Sequence, residues 1–265
     1  MLGFIGCGTM GTALLEGIMQ KGLRKPAEVV VFDQDRSKTT ILEEKYGVRV
    51  ESGAEELCSQ AQMIFLAVKP QDMPTLLEKI KDKIRDNHLV ISVAAGLRLN
   101  FFQNILGSDK KLVRVMPNTP SLIGKGMSVV SSGETVSAAQ EQEIVTLLEA
   151  LGKVMVLDEK HMDVVTALSG SGPAYVLLFI ESLADGGVEM GLSRDDAQQL
   201  AAQTVYGAAS MLLESQENPA VLKNKITSPG GTTSAGLLAM EQGTVRASII
   251  RAVQEATRRS RELGG

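Results

Sequence analysis

The 265-residue sequence predicts an α/β domain followed by an all-α domain, and three observations carry the prediction. From residue 2 to about 157, short apolar runs alternate with helix-patterned segments, the pattern of a parallel sheet covered by helices. A glycine loop, Gly6-Cys7-Gly8-Thr9-Met10-Gly11, joins the first of these runs to the first helical segment. After Asp158 the strand-like runs vanish, and Ala, Leu, Met and Gln dominate long segments with apolar residues at helical spacing.

Taken in order, the predicted strands are 2–5, 28–32, 63–68, 89–93 and 112–116, whose lengths and β-branched content suit buried strands. Residues 48–50 add another, and 127–130 with 154–157 make a late pair around a helix at 138–151. In the second half, 173–190 form one long helix that Gly191 ends, as glycine does just past a C-terminus. Ser193 starts the next helix, and Asp196 gives a Ser-x-x-Asp pattern like a capping box with a short partner. Helices follow at 219–226, 235–241 and 245–263, the first two interrupted by the 228–233 loop. The sequence has no internal repeat and no low-complexity linker.

Composition narrows the function classes. The chain is 44% hydrophobic and 22% charged, which is neither a disordered nor a fibrous composition. A net charge of −4 argues against a nucleic-acid partner, because phosphate binding needs a basic surface. The Arg-rich stretch from Arg246 to Arg261 reads as a solvated or subunit-facing helix side. Cys7 and Cys58 show no metal-ligand spacing and read as small reduced core residues, so no metal is expected. No apolar run is read as long enough to span a membrane, and the opening strand leaves no room for a leader. The cytoplasm, without membrane association, is the expected location.

The glycine loop follows a strand and opens a helix, the context in which G-x-G-x-x-G binds a dinucleotide. Gly6 permits the tight turn, Gly8 lets the pyrophosphate approach, and Gly11 lets the helix pack on the strand. Cys7, Thr9 and Met10 complete the loop, whose N–H groups face the phosphates at the positive end of the helix dipole. This makes the first domain a Rossmann domain. Asp33 ends the second strand, where an acid accepts hydrogen bonds from the adenine ribose of NAD. Arg36 and Lys38 just beyond it suit the 2′-phosphate of NADP. The cofactor is therefore read as NADP or NAD.

Four further segments carry a family resemblance: Ala67-Val68-Lys69-Pro70, Arg114-Val115-Met116-Pro117-Asn118-Thr119-Pro120, Gly170-Ser171-Gly172-Pro173-Ala174-Tyr175 and Ser228-Pro229-Gly230-Gly231-Thr232-Thr233. With them the sequence resembles the pyrroline-5-carboxylate reductase family over nearly its whole length. The most specific part is 225–233 followed by Gly236-Leu237, which a generic dinucleotide enzyme has no reason to contain. The resemblance implies an α/β Rossmann domain, 1–158, followed by an all-α substrate and dimerisation domain, 159–265. The implied reaction is the last step of proline synthesis, hydride transfer from NAD(P)H to the C=N carbon of a small cyclic imine. The implied assembly is a homodimer or higher homo-oligomer.

By the same resemblance, Ala67, Val68, Lys69 and Pro70 line the nicotinamide ribose, and Ala95 lies beside the cofactor. Thr233 matches the motif threonine that orients the imine nitrogen, and Ser228, Gly230, Gly231 and Thr232 surround it as substrate-binding residues. Glu159 matches a substrate-proximal acid. The chain departs from the family pattern at Ser52-Gly53 and at Lys225, where relatives often carry Asn. β-Hydroxyacid dehydrogenases share a similar opening loop, but they use a lysine base on the first long helix of the second domain. No lysine occurs here between Lys160 and Lys223.

Overall fold

The computed structural model describes residues 1–264 and divides into two compact units. The first holds Met1–Ser171 together with residues 256–264, and the second is Gly172–Glu255.

In the first unit, strands β1 (Leu2–Ile5), β2 (Val29–Phe32), β3 (Arg49–Val50), β4 (Met63–Leu66), β5 (Leu89–Ser92), β6 (Lys111–Met116), β7 (Gly126–Ser132) and β8 (Gly152–Val156) form one sheet. Their order is β3-β2-β1-β4-β5-β6-β7-β8. Pairing is parallel through β6, reverses at β7, and is parallel again between β7 and β8. The late pair expected at 127–130 and 154–157 is present as β7 and β8. Between the strands run α1 (Thr9–Gln20), α2 (Arg36–Tyr46), α3 (Ala54–Gln60), α4 (Met73–Ile80), α5 (Leu99–Leu106) and α6 (Ala138–Leu148).

Strand residues alternate between two cores. Leu2 and Phe4 pack with Leu14, Leu15 and Ile18 of α1, Leu42 of α2 and Ile144, Leu147 and Leu148 of α6. Ile5, Val30 and Leu66 pack with Leu57 of α3, Leu76 and Leu77 of α4, and Phe102 and Leu106 of α5. Each fully buried side chain of this kind contributes about 1.5–3 kcal/mol, so covering both faces is what fixes strands this short. Phe4 and Phe65 stack across β1 and β4 with centroids 5.1 Å apart. The strand order turns back between β1 and β4, and a crevice at the carboxyl ends of such strands is where doubly wound sheets bind ligands.

The first unit runs past the boundary expected at Asp158. After β8, α7 (Met162–Val165) and a π-helical turn, Thr166–Gly170, stay with the sheet because Met162 and Val165 pack on Val129. Residues 256–264 also belong here: the Ser260 hydroxyl donates to Asp163 Oδ1 at 2.8 Å, and both side chains are buried.

The second unit contains α8 (Gly172–Glu189), α9 (Arg194–Ser215), α10 (Pro219–Ile226), α11 (Thr232–Gln242) and the start of α12 (Val245–Leu263). Gly191, at φ +102°, follows α8 as expected. The Ser193 hydroxyl oxygen caps the Asp196 N–H of α9, while its proton goes to the Asp196 carboxylate. That carboxylate meets the hydroxyl, in keeping with a side chain shorter than the usual glutamate partner. Ala184, Ala197 and Ala201 let α8 and α9 pack closely. Many larger side chains remain exposed, among them Leu177, Leu178, Leu200, Leu213 and Leu238.

The reading of no membrane-length segment needs correction. The helical stretch Glu159–Glu189 is long and apolar enough to cross a membrane by length and composition, with 17% of its most apolar window buried. It is built from successive helical pieces, a 3-10 turn, α7, the π-helical turn and α8, with a bend at Ser171, which is why the sequence reads as separate segments.

Candidate functional site

The glycine loop lies where β1 ends. Gly6 has φ +98°, and a Cβ there would stand 2.7 Å from the Ala67 carbonyl, so only glycine fits between these strand ends. A Cβ on Gly11 would stand 2.1 Å from the Gly6 oxygen, which is the close helix-to-loop packing the motif demands. At Gly8 a Cβ meets no atom within 4 Å: the backbone faces open space. The first intrahelical bond of α1 is donated by Thr12 to Gly8 at 2.9 Å, so the N–H groups of Thr9, Met10 and Gly11 have no helical acceptor. Open space before Gly8 together with three free donors at a helix N-terminus fits a dinucleotide pyrophosphate.

Asp33 is half-buried at the end of β2. Its Oδ2 accepts the Cys7 N–H at 2.6 Å and its Oδ1 accepts the Asp35 N–H at 2.9 Å. Lys38 Nζ lies 3.5 Å from Oδ1. Arg36, the first residue of α2, is exposed and forms no ion pair among the described residues. The buried Cys7 thiol is pushed up to about 12, chiefly by burial and then by the Asp33 charge, so it stays protonated.

Neighbouring strands bring the other cofactor-facing candidates to the same sheet edge. Ala67 and Val68 follow β4 and are half-buried, and Lys69 and Pro70 are exposed as they open a short 3-10 turn. Ala95 is exposed in the loop after β5, just before Gly96 at φ +82°.

Glu159 occupies a different setting. Its Oε1 accepts the Leu99 N–H at the start of α5 at 2.7 Å and pairs with Arg114 Nη1 at 3.0 Å. The Arg114 side chain is only 4% exposed. A buried guanidinium in the middle of the apolar strand 111–116 demands an anion, and that demand was the sequence's clue to Glu159's partner. Nearby, Asp163 takes Ser260 and lies 3.5 Å from Arg98. Periodicity offers no clue to that pairing, which joins residues far apart in the chain.

In the helical unit, Pro229 and Gly230 form a turn closed by the Gly231 N–H on the Ser228 oxygen at 3.1 Å, with Gly230 at φ +67°. Gly231 then caps α11 without a side-chain hydrogen bond, so α11 starts at Thr232 and not at the expected residue 235. Thr232 and Thr233 consequently sit in the first helical turn, where N–H groups lack helical acceptors. The half-buried Thr233 hydroxyl makes no hydrogen bond among the described residues. Lys225 is held by Glu217 at 2.6 Å, outside this turn.

Comparison with known proteins agrees with this geometry. Residues 159–263 match the family model described as pyrroline-5-carboxylate reductase dimerisation, and residues 1–96 match the one described as NADP oxidoreductase, coenzyme F420-dependent. A pyrroline-5-carboxylate reductase of Arabidopsis thaliana is 42% identical over 262 residues, covering 99% of this chain and 95% of the relative. The chain belongs to the pyrroline-5-carboxylate reductase family. An Escherichia coli member is 37% identical over 262 residues, covering 99% of this chain and 97% of its own. Among solved structures of pyrroline-5-carboxylate reductases, that from Coxiella burnetii is 34% identical with a TM-score of 0.94, covering 100% of this chain and 98% of that one. A Plasmodium falciparum pyrroline carboxylate reductase with NADP bound is 35% identical with a TM-score of 0.90 and the same coverage. This member of the family thus has a Rossmann domain and a helical dimerisation domain, and the exposed leucines of the helical unit fall in the part matched as the latter.

Proposed function

We propose that this reductase converts 1-pyrroline-5-carboxylate to L-proline with NADPH or NADH, the last step of proline synthesis. The observation that carries the reading is the turn of residues 228–231 opening α11: a family-specific motif that ends in donors lacking acceptors.

The cofactor, when bound, supplies the hydride. The N–H groups of Thr9, Met10 and Gly11 hold its pyrophosphate, and Gly8 admits it. Arg36 takes the 2′-phosphate of NADP, a role supported by its exposure and by its having no ion pair among the described residues. Ala67 to Pro70 and Ala95 contact the nicotinamide ribose side. Ser228 and the free N–H groups of Thr232 and Thr233 bind the substrate carboxylate, as a helix N-terminus binds an anion, with Gly230 and Gly231 shaping the turn that presents them.

The ring nitrogen enters protonated, which makes the neighbouring carbon electrophilic. Its N–H donates to the Thr233 hydroxyl oxygen, fixing the ring for attack on one face. Hydride addition converts the iminium to a neutral amine, which then takes a proton from solvent. Thr233 orients and does not itself ionise, because a hydroxyl is a poor acid. We assign Glu159 a positioning role: its carboxylate is engaged by Arg114 and the start of α5, which supports holding the loop after β5 over contact with substrate. A homodimer or higher homo-oligomer and a cytoplasmic location complete the reading; two free, buried thiols accord with a reducing compartment.

The test is oxidation of NADPH and of NADH with and without 1-pyrroline-5-carboxylate. Substrate-dependent oxidation is expected, with a Thr233→Ala loss of roughly 10- to 100-fold in kcat/KM from lost orientation. Thr233→Ser should recover most of it. Full activity in Thr233→Ala would remove Thr233 from the mechanism.

A further inference from the structure

An acid ending the second strand of a Rossmann domain ordinarily reads the adenine ribose. In this chain both carboxylate oxygens of Asp33 are occupied from within. Oδ2 takes the Cys7 N–H at 2.6 Å, Oδ1 takes the Asp35 N–H at 2.9 Å, and the side chain is 12% exposed. Cys7 stands between Gly6, whose φ is +98°, and Gly8, the residue before α1. Its N–H thus lies inside the turn that leads into the helix. Cys7 is buried, and without Asp33 its N–H would lose its acceptor. Cys7's own oxygen is held in turn by the Thr12 hydroxyl at 3.0 Å.

The charge of Asp33 is also matched locally. Lys38 lies 3.5 Å from Asp33 and 3.8 Å from Asp35, so this carboxylate does not confront a 2′-phosphate as a bare anion.

From this we infer that Asp33 is a positioning residue that braces the glycine loop for either cofactor, and that it does not discriminate NAD from NADP. The inference rests on reading residues 6–11 as the cofactor loop. Binding of NADPH and of NADH to the full chain, followed by the fluorescence of the bound nicotinamide, tests it. In Asp33→Ala both dissociation constants should rise by a common factor of roughly 10- to 100-fold, the size expected for losing hydrogen bonds to a charged acceptor. Their ratio should stay within about twofold of wild type, and kcat at saturating cofactor should hold while both cofactor KM values rise. Asp33→Asn keeps one acceptor oxygen and should show a smaller loss, again equal for both cofactors. It decides the matter alone if the alanine variant fails to fold. A loss confined to NADH, or a gain for NADPH, would overturn the bracing role. A wild-type chain that binds neither cofactor would overturn the loop reading itself, and this inference with it.

Discussion

A methyl group added at Gly11 would stand 2.1 Å from a backbone oxygen, whereas one added at Gly8 would meet nothing within 4 Å. The two glycines of one motif therefore separate folding from binding. Gly11→Ala should lower stability by about 1–3 kcal/mol through overpacking, read from denaturant melts. Gly8→Ala should melt within about 1 kcal/mol of wild type, since only a helix-cap preference changes, yet bind NADPH at least roughly tenfold more weakly because the methyl fills the space the pyrophosphate needs. Equal stabilities for the two variants would contradict this division. These residues were legible in the sequence because a glycine motif states its own steric reasons. The partners of Asp33 were not: the acid's place at the end of β2 follows from the strand pattern, but whether a carboxylate turns to a ligand or to its own backbone depends on loop geometry that spacing does not encode.

Among the elements, α10 and α12 span the residues expected from their periodicity, helped in α10 by Asn218 capping Ala220 and by Pro219 at the first position. α11 begins earlier than expected because Gly231 caps with its backbone alone, and a cap without a side chain leaves no residue type to recognise. α5 illustrates a dependence the pattern also hid. Its first N–H is taken by Glu159, which a buried Arg114 holds in place. Glu159→Ala should leave that guanidinium unpaired and destabilise the first unit near the lower end of the about 3–5 kcal/mol typical of broken buried pairs, since Glu159 is itself 29% exposed. Glu159→Gln, which still accepts from Leu99, should lose less. Melts of the two variants and of Arg114→Met would show it: an Arg114→Met, Glu159→Ala double variant more stable than Glu159→Ala alone is expected, and additive losses would refute the pairing.

For the molecule as a whole, the exposed leucines of α8 and α9 need a cover, and the family match supplies the kind. Wild-type protein should sediment as a dimer or larger at micromolar concentration, and Leu178→Glu with Leu200→Glu should shift it toward a monomer. A monomeric wild type would refute this. The bond between Asp163 and Ser260, 97 residues apart, has a further consequence during synthesis. A ribosome delivers the sheet first, then residues 172–255, and only afterwards the segment that finishes the first unit. Nascent chains must hold Asp163 without its hydroxyl partner while a whole helical unit is translated. Folding is therefore nested, with the first part begun the last to be closed, and a stall before residue 260 leaves the oldest part of the chain incomplete.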